Sequence, residues 1–480
     1  MIISPKLETI MTRLSLTIAA VLFTCLCLAP TWADDIPRAD PEAVGLSSER
    51  LARFSAEMEK GVAAGDFPGV VAAVARNGKI AFFESYGFRD RDAGLPMTDD
   101  TIFRIASMTK AITGVAVMIL YEEGHFSLHD PISKYIPSFE NSVVQVGGVP
   151  IPEKLKGKVK RANWTQADLS QWLEKNWNTL SDEEKKKWTE YYASGGKGKG
   201  KSSDSGNEIE TVPANSPITI RDLLRHTAGI SYNMGDIWSE GDDLGQMIDN
   251  LAAQPLKSHP GTRFDYGLSM DVLARLVEVV AEQPFDDFIE ERILKPLDMK
   301  DTAFYVPQAE ATRLLKMPPT KANDQKFKVA SAEDPYLSPP IVLAGGTGLV
   351  STTMDYVRFC MMLLNDGELD GQRILGRKSV ELMRVNHMND VADRSSAKSG
   401  LDDFLFGLTF GVHGEPGDRG QLGSAGSYYW AGAYGTAFWI DPQENLIGVF
   451  MVNGLRDNEK GGGWHYSQML EHFTYQAIID

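Results

Sequence analysis

A serine and a lysine that could form a nucleophile and its proton acceptor lie three positions apart. Ser107 and Lys110 belong to the stretch 103–110 (FRIASMTK), which opens an apolar helical pattern that runs to about Glu123 and ends at Gly124. Residues three apart share one face of a helix, so the amine can reach the hydroxyl. Burial and the positive end of a helix both lower the pKa of an amine. We therefore expect Lys110 to accept the proton of Ser107 during nucleophilic attack.

The same spacing has plainer interpretations. Ser194 and Lys197, and also Ser395 and Lys398, are three apart in polar segments rich in glycine and serine, where nothing would bury the amine. At 107–110 the alternative is an exposed or ion-paired lysine beside a serine that caps the helix. Spacing alone leaves this alternative open.

Two further segments contain groups that suit the same chemistry. The stretch 260–266 (PGTRFDY) is a turn that leads to Tyr266, just before a helical pattern over 270–281. A phenol between cations can ionise and relay a proton, although a tyrosine at a helix entry also serves for packing. The stretch 430–435 (WAGAYG) begins a strand whose small residues let the backbone approach a ligand.

Several other classes of function are disfavoured by the sequence. The 48 Lys and Arg residues against 65 Asp and Glu give a net charge of −17, which argues against a nucleic-acid partner. No Gly-x-Gly-x-x-Gly loop and no Gly-x-Ser-x-Gly turn is present. We expect neither a metal nor a phosphate cofactor, and not an ordinary α/β-hydrolase.

The elements that must position these groups lie at both ends of the chain. Asn77 and Gly78 separate two β-rich runs, 70–75 and 80–86, and Asn-Gly is a strong hairpin signal. Near the C-terminus, two more runs, 436–440 and 446–453, flank a turn. Helical patterns flank these strands at 47–64 and 464–479. The order predicts an α/β (mixed α+β) fold in which terminal strands form one antiparallel sheet, with a mainly helical region inserted between them.

The first 33 residues are typical of a secretory signal peptide. Arg13 precedes an apolar stretch over 14–28, and small residues lead to a cleavage site expected after Ala33. We expect a periplasmic or secreted protein without stable membrane insertion, since the apolar run is short for a bilayer. The mature chain, 34–480, would keep a single cysteine, Cys360, so it would contain no internal disulfide.

A basic segment interrupts this pattern over 148–207. Within it, residues 153–201 carry 12 Lys and Arg against 7 Asp and Glu, an excess of five positive charges in an acidic protein. One interpretation is a peripheral helical insertion that packs its tryptophans on the body. The other is a lid or a docking arm for a partner. The apolar stripe at helical spacing consists of Trp164, Leu169, Trp172, Leu173 and Trp177.

Taken together, the motifs resemble the serine β-lactamase-like hydrolases, in particular the branch of class C β-lactamases and family VIII carboxylesterases. The likeness covers nearly the whole mature chain outside the insertion and implies a β-lactamase/transpeptidase-like fold. Its marks, in order, are 107–110 (SMTK), 218–229 (ITIRDLLRHTAG), 260–266 (PGTRFDY), 295–302 (KPLDMKDT), 345–349 (GGTGL) and 430–432 (WAG).

The resemblance implies specific roles. Ser107 would be the nucleophile, Lys110 and Tyr266 the proton-transfer pair, and the backbone N–H groups of Ser107 and Ala433 the oxyanion hole. No metal would be needed. His226 would be structural, because the resemblance assigns proton transfer to the lysine and the tyrosine.

Two departures from the family pattern concern specificity. Leu268 replaces the usual asparagine or serine two residues after the tyrosine, which removes a polar group that could bind substrate. Trp430 replaces the lysine of the Lys-Thr-Gly motif, so the site loses the cation that would pair with a β-lactam carboxylate and gains an apolar wall. We expect Trp430 and Gly432 to contact the substrate, and both departures favour ester cleavage.

The sequence therefore predicts a serine hydrolase, specifically a carboxylesterase acting on small or medium esters. One alternative on the same scaffold is a β-lactamase or a D-amino-acid peptidase, for which the small-molecule substrate would be an amide. A second alternative is a non-catalytic periplasmic binding protein that uses residues 153–201 for a partner.

Overall fold

The structure is a computed structural model that describes residues 36–145, 177–182, 185–186, 189, 211–235, 237–239, 241–317, 334–394, 405–454 and 462–480. From Arg38 onward the described residues form one compact unit. Its helices are α1 (Ser48–Ala64), α2 (Thr109–Glu122), α3 (Ile220–Leu224), α4 (Leu244–Ala252), α5 (Ser269–Ala281), α6 (Phe285–Ile289), α7 (Thr353–Leu364), α8 (Arg377–Met383), α9 (Pro416–Arg419) and α10 (Gly462–Ala477). Its strands are β1 (Gly69–Arg76), β2 (Lys79–Asp90), β3 (Leu95–Pro96), β4 (Phe103–Arg104), β5 (Val143–Gln145), β6 (Thr211–Pro213), β7 (Val350–Ser351), β8 (Glu368–Leu369), β9 (Gln372–Arg373), β10 (Leu405–Phe406), β11 (Gly411–Val412), β12 (Tyr428–Ala431), β13 (Ala437–Asp441) and β14 (Leu446–Val452).

Across the described residues, an eight-stranded antiparallel sheet has the strand order β10-β11-β12-β13-β14-β1-β2-β3. The hairpin of β1 and β2 turns at Asn77 and Gly78, whose φ angles of 53° and 76° are those that a tight hairpin turn requires. On its other edge β1 pairs with β14, with Val70 opposite Val452. The N-terminal and C-terminal strands thus meet in one sheet, which confirms the predicted fold class.

Helices cover the sheet on both faces. Alternate residues of a strand point to opposite faces, and Val70, Ala72 and Val74 of β1 pack with Phe54 of α1 and Leu470 of α10. On the other face α7 contacts β1, β13 and β14. The sheet is therefore buried between two helical layers and forms a rigid support for β12, which pairs with β11 on one side and β13 on the other.

A central helix, α2, connects the sheet to the helical region. All its residues from Thr109 to Leu120 are buried, as expected for a helix that is apolar all round. It packs against α5 and α6, and α5 in turn contacts α3 and α4. The short 3-10 turn Ala106–Met108 that precedes α2 contacts β12. The N-terminus of α2 thus lies where the helical region meets the sheet.

Two predicted segments fall largely outside the described residues. The expected signal peptide, 1–33, is one, and the basic segment 148–207 is the other apart from a few residues. Of the predicted apolar stripe, the structure describes Trp177, which is 36% exposed in a 3-10 turn, Trp177–Thr179. Among the described residues, no helix is long and apolar enough to cross a membrane.

Candidate active site

Ser107 lies in a sharp turn between β4 and α2. Ala106, directly before it, has a φ angle of 43°, in the left-handed region that residues with a side chain rarely adopt. The 3-10 turn Ala106–Met108 then leads directly into α2. Backbone strain of this kind is characteristic of functional sites, where the surrounding structure holds it in place. Here the turn lifts the Ser107 hydroxyl out of the regular helix at its N-terminal end.

Lys110 is 1% exposed, and its Nζ atom makes three hydrogen bonds. It donates to Ser107 Oγ at 3.2 Å, to Tyr232 Oη at 3.0 Å and to the carbonyl of Gly346 at 2.6 Å. An ammonium group has three N–H donors, whereas a neutral amine has two. Three acceptors at these distances match the protonated form.

The charge of Lys110 corrects one expectation from the sequence. The pKa of Lys110 was expected to fall but is raised above its ordinary value. Burial is the largest single influence and does lower the pKa, but attraction to Tyr266, Tyr232 and Asp271 together with the hydrogen bond to Tyr232 outweighs it. Lys110 therefore holds its proton in the resting site, and the proton of Ser107 needs another acceptor.

Tyr266 lies beside Lys110 but its hydroxyl has a different partner. The Lys110 Nζ atom is 4.8 Å from the centre of the Tyr266 ring. The Tyr266 oxygen accepts a hydrogen bond from the indole Nε1 of Trp430 at 3.1 Å. The structure thus brings Ser107, Lys110, Tyr266 and Trp430 into one site, with the cation over the phenol ring and an N–H donor on its oxygen.

Sequence reasoning missed Tyr232, whose hydroxyl bonds to Lys110. Its ring is 47% exposed and lies 5.7 Å from the ring of Tyr266, edge to face. Burial of the hydroxyl raises the pKa of Tyr232, while Lys110 lowers it. The available signal was position: Tyr232 follows the motif 218–229 by three residues, in a loop that the motif holds near Tyr266. Nothing about the residue type distinguished it from other surface tyrosines.

His226 lies in an aromatic cluster and touches neither Ser107 nor Lys110 by a hydrogen bond. Its ring is fully buried, 4.6 Å from the ring of Tyr266 and packed edge-on to Phe264 and Phe406. Both ring nitrogens lack a hydrogen-bond partner within the described part of the chain. Burial, and secondarily Lys110, holds the pKa of His226 well below its ordinary value, so the ring is neutral.

A tight turn after β12 carries Ala433. Gly432 donates its N–H to Thr436 at 2.7 Å, and Gly435 donates to Gly432 at 2.9 Å, so the turn closes over Ala433. The Thr436 hydroxyl donates to the Ile105 carbonyl at 3.3 Å, which ties the turn to the strand end just before Ser107. Ala433 itself is exposed. Its N–H is therefore on a rigid turn beside the serine, as an oxyanion-hole donor must be.

Replacing Gly432 by alanine is expected to lower kcat about 100-fold with little change in KM. A Cβ atom at Gly432 would lie 2.2 Å from Thr436 Oγ1 and 2.4 Å from the Ile105 carbonyl, so the turn must move away from Ser107. Loss of one oxyanion donor costs about 10²–10³ in kcat. Steady-state kinetics on an ester substrate measures the change. The control is Gly417→Ala, since a Cβ there meets nothing within 4 Å; equal losses in both variants would contradict the assignment.

Among the described residues, no group of three or more His, Cys, Asp or Glu side chains could hold a metal ion. The described cysteine, Cys360, is buried, and burial raises its pKa well above the ordinary value, so its thiol is inert.

Comparisons with known proteins agree with this architecture. A family model described as Beta-lactamase matches residues 54–160 and 186–471. The chain is 32% identical over 411 residues to Protein Rv1367c of Mycobacterium tuberculosis, covering 82% of this chain and 88% of the relative. It is 24% identical over 462 residues to Esterase EstB of Burkholderia gladioli, covering 88% of this chain and 95% of that protein. The solved structure of EstCE1, described as a hydrolase with promiscuous acyltransferase activity, has the same fold at a TM-score of 0.63 and 21% identity, covering 89% of this chain and 99% of that one.

Proposed function

The chain belongs to the beta-lactamase family, and we propose that it is a carboxylesterase that cleaves small or medium esters through an acyl-enzyme on Ser107. The observation that carries this proposal is the hydrogen bond between the buried Lys110 ammonium and Ser107 Oγ, at 3.2 Å. A lysine is costly to bury, and here it lies against a serine hydroxyl at the junction of helices and sheet. The similarity to an esterase of Burkholderia gladioli supports the substrate class.

In the acylation step, Ser107 Oγ attacks the ester carbonyl carbon while its proton passes to the oxygen of Tyr266, which acts as the general base. Lys110 lies over the ring of Tyr266 and holds the serine hydroxyl in place. The N–H groups of Ser107 and Ala433 stabilise the oxyanion. When the tetrahedral intermediate collapses, the ester C–O bond breaks and Tyr266 returns the proton to the leaving oxygen, so an alcohol departs.

Deacylation uses the same groups in the same order. A water molecule attacks the acyl carbon as its proton passes to Tyr266. The bond to Ser107 Oγ then breaks, and Tyr266 returns the proton to that oxygen. The carboxylic acid product is released and the free serine is restored, so no external base is consumed in the catalytic cycle.

Trp430 supports the preference for esters over β-lactams. Its indole packs in an apolar cluster with Tyr266, Phe264 and Phe406, and its N–H is used by Tyr266. A carboxylate on a substrate would therefore find neither a cation nor a free donor on this side chain, whereas an uncharged acyl or alkoxy group would find an apolar wall. Leu268 is buried at the start of α5 and adds no polar group.

We expect the protein to hydrolyse a short-chain p-nitrophenyl ester and to leave a cephalosporin essentially intact. The physical reason is that residue 430 is a tryptophan, which cannot form a charge-assisted pair with the β-lactam carboxylate. The measurement compares kcat/KM for the two substrates under one set of conditions. Efficient β-lactam turnover without ester hydrolysis would reverse the preference, and parallel assay of a D-amino-acid peptide tests the peptidase alternative.

A non-catalytic role is tested by labelling. A serine-directed phosphonate is expected to modify Ser107 in the folded protein, detected as an increase in mass that maps to the peptide containing Ser107. Folded protein that resists the reagent and turns over no substrate would instead support a binding function.

A further inference from the structure

In space, a single residue separates Lys110 from a buried carboxylate. This carboxylate has no part in the proton transfers described above. Asp271 is the third residue of α5 and is buried. Its Oδ1 atom accepts a hydrogen bond from the N–H of Gly346 at 3.1 Å. The carbonyl of the same glycine accepts the hydrogen bond from Lys110 Nζ at 2.6 Å. Gly346 therefore bridges the carboxylate and the ammonium by two hydrogen bonds.

The bridge fits between α2 and α5 only because it consists of glycines. A Cβ atom at Gly346 would lie 2.7 Å from Asp271 Oδ2, and one at Gly345 would lie 2.6 Å from the Cβ atom of Ala274. From the α2 side, Thr113 Oγ1 donates to the carbonyl of Gly345 at 2.7 Å. The Gly345–Gly346 segment is thus fixed from both helices, with the Gly346 carbonyl directed at Lys110.

Lys110 and Asp271 both lie at helix N-termini, which disfavour the positive charge of the lysine and favour the negative charge of the aspartate. Lys110 is the second residue of α2, where the positive helix end disfavours an ammonium, and its burial disfavours the charge further. Asp271 lies in the first turn of α5, where the helix end favours an anion. Two buried charges of opposite sign support each other, whereas either one alone would be costly.

Among the described residues, the other titratable groups that face Lys110 are Tyr232, Tyr266 and His226. The histidine is neutral, because burial holds its pKa well below the ordinary value. The phenols carry negative charge only after losing a proton. The pKa of Asp271 is raised overall, because burial outweighs the opposite effects of Lys110 and the Gly346 N–H. Among the described residues, Asp271 is the carboxyl group that faces Lys110, and its ionised form raises the pKa of Lys110.

We propose that Asp271 is a positioning residue, which keeps Lys110 protonated and fixes the Lys110 acceptor through Gly346. This inference rests on the proposed function, since it assigns Asp271 a role in maintaining the reactive state of Ser107. Without the carboxylate, Lys110 loses its proton at lower pH, and the Gly346 N–H loses the charged acceptor that fixes this residue.

The test is the pH dependence of Ser107 phosphonate labelling and of aryl ester hydrolysis in the full chain, for wild type and Asp271→Asn. Asparagine keeps the shape and an acceptor for the Gly346 N–H but removes the charge. The active form needs Lys110 charged, and the charged form is lost above the pKa of Lys110. In Asp271→Asn, the fall of labelling and of ester hydrolysis at high pH should therefore move to lower pH by about 1–3 units. Thr113→Val is the matched control. It removes a neutral hydrogen bond to the same glycine segment, so its alkaline decline should stay where wild type has it.

The outcomes separate the inference from the proposed function. If phosphonate labels wild-type Ser107 at no pH, the proposed function fails, whatever Asp271 does. If wild type is labelled and Asp271→Asn declines at the same pH, the inference is overturned. Should Asp271→Asn not fold, as judged by circular dichroism, Asp271→Ser takes its place, and failure of both to fold identifies Asp271 as a structural residue and also overturns the inference.

Discussion

Replacing Ser107 by alanine is expected to abolish acyl-enzyme formation and to lower kcat/KM by about 10⁴–10⁶-fold. The reason is that no other described hydroxyl receives a hydrogen bond from Lys110 except that of Tyr232, and a phenol is a poor nucleophile toward an alkyl ester. Residual hydrolysis would come from the oxyanion turn and from substrate binding. Brief exposure to a panel of esters, β-lactams and D-peptides, followed by mass measurement of intact protein, shows the adduct in wild type and its absence in the variant.

The substitution is expected to leave the fold intact, so the loss of activity can be assigned to chemistry. Removing Ser107 Oγ leaves Lys110 two of its three acceptors, Tyr232 and Gly346, and costs about 1 kcal/mol of unfolding free energy. Ser269→Ala is the matched control, because Ser269 is a buried serine whose hydroxyl has no hydrogen-bond partner among the described residues. An active Ser107→Ala protein that still accumulates acyl-enzyme would place the nucleophile elsewhere.

The elements that frame the site could be predicted because their signals are local. Asn77 and Gly78 at positive φ fix the first hairpin, and Ser47, whose side chain accepts the N–H of Arg50, marks the start of α1. The apolar run after Lys110 predicts a buried helix, which α2 confirms. In each case the residue type decides the conformation of its own segment, so a single sequence carries the information.

The charge state of the site could not be predicted, because it depends on groups that are distant in the sequence. The desolvation of Lys110 was foreseen, but the attraction that outweighs it comes from Tyr232, Tyr266 and Asp271, more than 120 residues away along the chain. The same is true of Gly346. Only the packing of α2 against α5 shows why this position must be glycine, since a side chain there would collide with Asp271. The residue types at these positions are compatible with the contacts, but they do not identify which distant residues meet.

The two tyrosines at Lys110 are expected to respond very differently to removal of their hydroxyl groups. Tyr266→Phe should lower kcat about 10³-fold, since loss of a general base costs about 10²–10⁴. Tyr232→Phe should lower it about tenfold, because one hydrogen bond to a charged group is worth roughly 1.5 kcal/mol. Both variants keep the aromatic ring and its edge-to-face contact. Single-turnover measurement of acylation and deacylation separates the effects on the two steps.

The two variants are informative because the geometry of the resting site, taken alone, does not identify which phenol is the general base. Tyr232 has the direct hydrogen bond to Lys110, whereas Tyr266 has the cation over its ring and the N–H of Trp430 on its oxygen. Each arrangement places a cation or an N–H donor next to the phenol. A thousandfold loss in Tyr232→Phe with a small loss in Tyr266→Phe would move the proton relay to Tyr232 and reduce Tyr266 to a packing partner of Trp430. Equal large losses would instead mean that one proton passes between the two phenols by way of Lys110, which lies beside both.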